Sequence, residues 1–223
     1  MCGRYSVLTE DEIIEIRGIL KELSLALVKD DFERYEKMEG EVLPTDQAPV
    51  ITKNTAGISF ESAKWGFQRW NGSGVIINAR CESIQIKSTF SKLVEAGRCV
   101  VPAAQFFEWE KKEKRKIKHY AKDRDGNLLF MAGLYRDIKA DAADLNETPD
   151  GNEFIREFVI ITKQATGEMA TIHDRIPVIL RVDQMEAWLS GKMNPDDLET
   201  LDYDISVLPC EDEDNGQASL FTD

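Results

Sequence analysis

Short runs rich in β-branched and aromatic residues recur along this chain at residues 48–52, 57–66, 75–79, 99–101, 106–110, 117–121, 128–134, 158–162 and 178–180. Turn dipeptides such as Asn71-Gly72 and Asp125-Gly126 separate many of them. Runs this short, punctuated this often, predict strands. No regular strand–helix–strand alternation joins them, so the expected fold class is α+β, with a largely antiparallel, barrel-like sheet as its core and flanking helices. Helical signals are fewer. Thr9, followed three residues later by Glu12, makes a capping-box pattern, and Ile13, Ile16, Leu20 and Leu23 then recur at helical spacing. An amphipathic helix over 10–27 is expected, its apolar stripe facing the core. Further helices are expected over 88–96, over 183–190 with Asp183 as cap and Gly191 as terminator, and over 195–201.

With 223 residues, the chain suits one domain with a sizeable core, placed at 1–210. Residues 211–223 are acidic and lack periodicity until Leu220-Phe221, which predicts a flexible tail. Residues 137–153 carry six carboxylates and one lysine between two strand runs and read as a surface loop. No window approaches the ~20 apolar residues of a membrane span, and no signal peptide is evident, so a cytoplasmic protein is expected. The four cysteines, Cys2, Cys81, Cys99 and Cys210, are widely spaced, and there are two histidines, His119 and His173. That pattern argues against a structural zinc site and against a disulfide framework. The net charge of −13 disfavours a broad nucleic-acid surface, yet residues 110–124 carry a local +5 that leaves room for phosphate binding.

Cys2 stands apart from the other cysteines. It follows Met1 directly, and removal of the initiator would leave it with a free α-amine and a thiol on adjacent carbons. Such a 1,2-aminothiol condenses with an aldehyde to an imine, and the neighbouring sulfur then closes a five-membered thiazolidine. The closure is intramolecular and therefore strongly favoured. The same thiol can instead attack an amide carbonyl, as in hydrolases with an N-terminal nucleophile. Three other segments hold reactive groups. Ile76-Ile77-Asn78-Ala79-Arg80 sets an amide and a guanidinium two apart on one strand face. Phe106-Phe107-Glu108-Trp109 surrounds a carboxylate with rings, where desolvation raises its pKa towards a range useful for proton transfer. Thr171-Ile172-His173-Asp174-Arg175 offers a histidine beside an aspartate and an arginine. Taken singly each has an ordinary reading: Asn78 satisfies a turn, Glu108 pairs with a lysine, His173 holds a loop.

The ordered set of motifs resembles the SRAP family, the SOS-response-associated peptidase-like proteins that process abasic sites in DNA. It runs from Met1-Cys2-Gly3-Arg4-Tyr5 through Glu41-Val42-Leu43-Pro44-Thr45, Trp65-Gly66-Phe67, Asn78-Ala79-Arg80-Cys81-Glu82-Ser83, Gly97-Arg98-Cys99 and Phe107-Glu108-Trp109 to His173-Asp174-Arg175-Ile176-Pro177. The resemblance implies a protein that senses abasic sites in single-stranded DNA and joins itself to the sugar aldehyde through Cys2. On that reading Glu108 deprotonates the α-ammonium, His173 protonates the sugar ring oxygen, and Asn78 orients the amine or the sugar. Arg4 and Arg80 would hold the flanking phosphates, and Trp70 would stack on a base or wedge beside the gap. No cofactor or metal is implied, and a monomer is expected, nucleoid-associated when on DNA. Lyase activity through the imine and cysteine-type peptidase activity, down to removal of Met1 alone, are alternatives, as is a non-catalytic repair adaptor. Two departures bear on DNA contacts: Glu41 stands where many members have asparagine, and residues 85–89 lack an arginine before Phe90, although Lys87 is close. In the tail, Gln217-Ala218-Ser219-Leu220-Phe221 resembles the short peptide by which bacterial repair proteins dock on the β sliding clamp.

Overall fold

A computed structural model describes residues 2–6, 8–23, 27–30, 40–69, 72–113, 115–139 and 154–210. In chain order the strands begin with β1 (Tyr5–Ser6), β2 (Leu27–Asp30), β3 (Glu41–Val42), β4 (Gln47–Lys53), β5 (Ile58–Trp65) and β6 (Phe67–Gln68). They continue with β7 (Val75–Ile76), β8 (Asn78–Arg80), β9 (Arg98–Ala103), β10 (Gln105–Lys112) and β11 (Arg115–Asp123). The last are β12 (Leu129–Lys139), β13 (Phe154–Gln164), β14 (Arg175–Pro177), β15 (Ile179–Leu180) and β16 (Ile205–Pro209). Three α-helices, α1 (Glu10–Glu22), α2 (Leu93–Ala96) and α3 (Val182–Leu189), lie among the described residues.

Five of the strands close on themselves. β5 pairs antiparallel with β4, β4 with β9, β9 with β12 and β12 with β13. β13 then returns parallel to β5, through Glu157↔Lys64 and Phe158↔Trp65. The result is a five-stranded barrel with one parallel seam, which leaves none of these strands as an open edge. Side chains alternate along each strand. One set, including Val50, Ala63, Trp65, Val101, Met131, Phe158 and Ile160, clusters with Cys2 and Tyr5. The other, including Ile51, Phe60, Val100, Phe130 and Val159, clusters with Ile13, Ile16 and Leu20 of α1 and with Met185 and Trp188 of α3. A helix cannot enter so narrow a barrel, so the first set is its interior and the second its helix-covered outside.

A second sheet, in the order β16-β11-β10-β1-β3, adds Tyr5, Val42, Phe106, Ala121 and Ile205 to the same cluster as the interior set. Tyr5 pairs with Phe106 on one side and Val42 on the other. Its ring meets Trp65 edge-on at 5.1 Å, and Trp65 stacks on Phe158 at 6.3 Å. The N-terminal strand is thereby fixed between the second sheet and the barrel. Arg98, the first residue of β9, is buried, lies 4.3 Å over the Trp188 ring and donates to the carbonyls of Val94, Trp188 and Met193. It fastens α3 to the barrel wall.

The α+β class and the barrel-like antiparallel core are as expected from the sequence; several element limits are not. The capping box at Thr9 and Glu12 is present, but α1 stops at Glu22 and residues 27–30 form β2, parallel to β5. Pairing with β5 outweighs the continuing apolar spacing. The helix expected over 88–96 shrinks to α2, because Ser88, Thr89 and Ser91 favour local turns over helix. α3 begins at Val182 with Arg181, not Asp183, in the cap position, and Gly191 takes the left-handed φ of 76° expected of a terminator. A 3-10 turn, Pro195–Glu199, capped by Asn194, replaces the helix expected over 195–201. The stretch 137–153 is not wholly loop: β12 runs to Lys139 and β13 starts at Phe154, held by Asp137↔Arg156 and Lys139↔Phe154. Residues 140–153 and the tail 211–223 lie outside the described residues.

Gly133 faces the barrel interior, where an added Cβ would sit 2.8 Å from Cys99 Sγ and 2.9 Å from the Val159 carbonyl oxygen. The carbonyl belongs to a paired strand and cannot retreat cheaply. Gly133→Ala is expected to destabilise the fold by about 1–3 kcal/mol, as overpacked cores do. Thermal denaturation should show this as a lower Tm, at about 2–4 °C per kcal/mol.

Candidate active site

Cys2 is fully buried, with Gly3 and Arg4 between it and β1. Two contacts orient it: Asn78 Nδ2 donates to its carbonyl at 2.7 Å, and its thiol donates to the Arg4 carbonyl at 3.8 Å. Burial pushes the thiol far above the usual range, and the charge of Glu108 raises it further. A thiol so placed stays protonated at neutral pH.

Asn78 opens β8, which runs parallel to β13 with Asn78 opposite Ile160. Just before it, the Ile77 carbonyl accepts from Trp65 Nε1 at 3.0 Å and from the Ile160 amide at 3.1 Å. The ring that braces Tyr5 therefore also braces the strand carrying Asn78. With Nδ2 committed to Cys2, Asn78 Oδ1 is buried and accepts from no group among the described residues. It is an acceptor aimed at a donor that a substrate could supply.

Glu108 lies mid-strand in β10, opposite His119 of β11, and is buried. Burial raises its pKa, while the charge His173 carries when protonated opposes the rise. His173 follows the 3-10 turn Gly167–Thr171. Its Nδ1 lies 3.0 Å from the Arg175 amide and 2.9 Å from a carboxylate oxygen of Asp174. One nitrogen cannot both accept the amide N–H and donate to the carboxylate. A ring that accepts the Arg175 N–H at Nδ1 has Nε2 free to carry a proton, whereas one that donates from Nδ1 to Asp174 gives that bond up.

Arg175 couples the two halves of this arrangement. Its buried guanidinium binds both carboxylate oxygens of Glu82, at 2.6 and 2.9 Å, and the Thr162 carbonyl at 2.6 Å. These hydrogen bonds hold Glu82 below the usual carboxylate range. Glu82 sits in the 3-10 turn Cys81–Ser83 that follows β8, so one bidentate pair ties the His173 loop to the Asn78 strand. Sequence reasoning placed Arg175 and Glu82 in motifs without giving them this role; their complementary charge was the available signal.

The residues expected to hold DNA are spread more widely. Arg80 is exposed, and among the described residues no hydrogen bond or ion pair holds its guanidinium. Arg4 Nη1 instead donates to Glu41 at 2.8 Å, and Lys118 binds the same carboxylate. Trp70 lies outside the described residues, as do Gln217, Leu220 and Phe221.

Fold and site define a member of a known class. Residues 1–210 match the family model for SRAP, SOS response associated peptidase, and the chain belongs to that family. It is 32% identical over 209 residues to the abasic site processing protein YoqW of Bacillus subtilis strain 168, covering 90% of this chain and 86% of that one. YobE of the same organism, also named an abasic site processing protein, is 30% identical over 222 residues, covering 96% and 91%. A crystal structure of a protein from Bacteroides thetaiotaomicron shares the fold with a TM-score of 0.75 at 21% identity, covering 95% of this chain and 93% of that one.

A carboxyl whose folded pKa lies above its unfolded value makes folding less favourable as pH rises between the two, because the unfolded chain releases its proton first. Glu108→Gln removes that dependence. Above the ordinary glutamate value of 4.5, the unfolding free energy of the variant should fall less steeply with pH than that of the wild type, as read by urea denaturation. Equal slopes would contradict the assignment of Glu108 as a carboxyl of raised pKa.

Proposed function

We propose that this protein captures abasic sites in single-stranded DNA, with Cys2 as the residue that becomes bonded to the lesion. The observation that carries the reading is the convergence on Cys2 of groups distant in sequence: the Asn78 amide on its carbonyl, and the Glu108 carboxyl, close enough to raise its thiol and itself within reach of the His173 charge. The family and the names of the relatives agree with it.

Removal of Met1 gives Cys2 its α-amine. The amine adds to the aldehyde of the ring-opened sugar, and loss of one water leaves an imine. The thiol then adds across the C=N bond, its sulfur to carbon and its proton to nitrogen, closing the thiazolidine. Glu108 takes the proton from the α-ammonium and returns it to the departing hydroxyl, a double role that a carboxyl of raised pKa suits. His173, with Nε2–H as donor, protonates the sugar ring oxygen and favours the open form. Asn78 keeps Cys2 oriented through Nδ2 and leaves Oδ1 for the amine or a sugar hydroxyl. Arg80 would meet a flanking phosphate, and Trp70 would fill the gap left by the missing base. From the imine, strand cleavage by elimination is a lyase side reaction. Peptidase action is the weaker reading, because the thiolate is the attacking form and burial beside Glu108 keeps this thiol protonated. The imine route starts at the amine and does not need it.

Incubation with single-stranded DNA bearing an abasic site, followed by denaturation, is expected to give a species with the mass of protein plus strand less one water. Cys2→Ala, and a protein with residues appended before Cys2, are expected to give none. His173→Ala should slow capture by roughly 100-fold, the lower range for loss of a general acid. No adduct with the wild type refutes the reading.

We further propose that Gln217, Leu220 and Phe221 dock on the β sliding clamp. The double substitution Leu220→Ala/Phe221→Ala is expected to abolish clamp pull-down; unchanged retention would sink the idea.

A further inference from the structure

The second sheet has two faces, and only one belongs to the site. Directly opposed residues of antiparallel strands share a face. Glu108 and His119 face the barrel, as do Tyr5 and Phe106. Phe107 with Tyr120, and Trp109 with Lys118, face away from it, and Lys116 follows at the next step of the same alternation. Arg4, one residue before Tyr5, joins this outer face with its guanidinium 5.2 Å from the Trp109 ring centre. Lys118 lies 4.3 Å from the Phe107 ring centre and Lys122 5.9 Å from that of Tyr120. Cations therefore lie against the rings of this face, whose side chains step by about 6.6 Å along each strand. Lys116 and Lys122 are exposed and have no carboxylate partner among the described residues.

In a chain of net charge −13 such a concentration of positive charge needs a reason. Glu41 supplies half of it. Its carboxylate bridges Arg4 and Lys118, whose hydrogen bonds hold it below the usual range against the opposing effect of burial. Two cations beside an aromatic ring, already holding one carboxylate, make a place that suits an anion.

We propose that this outer face is a second binding surface for single-stranded nucleic acid, with Glu41 as the internal counter-ion that a phosphate displaces. The inference rests on the reading of the protein as one that acts on single-stranded DNA and extends it beyond the site at Cys2. Phe107 is buried under Lys118, but Trp109 and Tyr120 are partly exposed among the cations, which suits a single strand with bases to stack and phosphates to pair; an acidic peptide would use the charge and leave these two rings idle. The strand would run from the lesion at Cys2 past Arg4 and out along β10 and β11.

Two undamaged labelled strands separate this surface from the site, one just long enough to flank the lesion and one extending well beyond it. In anisotropy titrations Lys116→Glu/Lys122→Glu is expected to bind the long strand roughly tenfold more weakly at low salt, with the salt slope flattened by about 0.7 for each phosphate no longer neutralised. Cross-linking of the same variant to a short abasic strand should proceed at the wild-type rate, which also shows that it folds. Glu41→Gln should tighten the long strand several-fold. Unchanged long-strand affinity and salt slope in Lys116→Glu/Lys122→Glu would overturn the surface, and unchanged affinity in Glu41→Gln would overturn the counter-ion role. Cys2→Ala in the same titration is expected to bind as the wild type does. Binding retained while wild-type protein fails to cross-link would refute the capture chemistry and leave this surface standing.

Discussion

Everything near Cys2 depends on Trp65. The indole sits inside the barrel, meets Tyr5 edge-on, stacks on Phe158 and donates its N–H to the Ile77 carbonyl. One side chain therefore sets the position of the N-terminal strand, through Tyr5, and of the strand that begins at Asn78, through Ile77. The seam where β13 runs parallel to β5 passes through the same residue, at Phe158↔Trp65. A large aromatic with one polar handle suits this place, since its area fills the interior while its N–H satisfies a carbonyl that would otherwise be buried without a second donor.

Burial is also what makes the site chemically distinctive. Cys2 and Glu108 are removed from water together, and burial raises the pKa of both. For each, the charged form is the one that burial penalises. The charges the fold does bury nearby are handled in the opposite way: Arg175 is kept ionised by a bidentate carboxylate partner, Glu82, and by the Thr162 carbonyl. Two carbonyl- and carboxylate-bound guanidinium nitrogens hold Arg175 in place, whereas Cys2 and Glu108 are groups whose charged forms burial disfavours.

The class of fold was legible because strand runs, turn dipeptides and the Thr9–Glu12 cap are local signals. Cys2, Asn78, Glu108 and His173 were singled out because their residue types and order resemble a family pattern. Element limits were less so. β2 and the extension of β12 to Lys139 are held by partners far along the chain, at β5 and β13, and local composition at those positions pointed elsewhere. The engagement of Arg4 by Glu41 was half visible: Glu41 stood out as an acidic departure from the pattern, but its two cations, 37 and 77 residues away, did not.

By itself the sequence determined the chemistry on offer: an aminothiol at position 2 once Met1 is removed, a carboxyl among rings, an amide, an imidazole, and a short basic run in an acidic chain. Tertiary structure alone decided which of these face one another. In a β-sheet successive residues point to opposite sides, so the register of a few strand pairs sends Glu108 inward to Cys2 and its neighbours Phe107 and Trp109 outward to Arg4 and Lys118. The hairpin sets β10 against β11, but which of its faces meets the barrel is fixed by pairing with β1 at Tyr5↔Phe106, a contact between distant segments that no local pattern encodes.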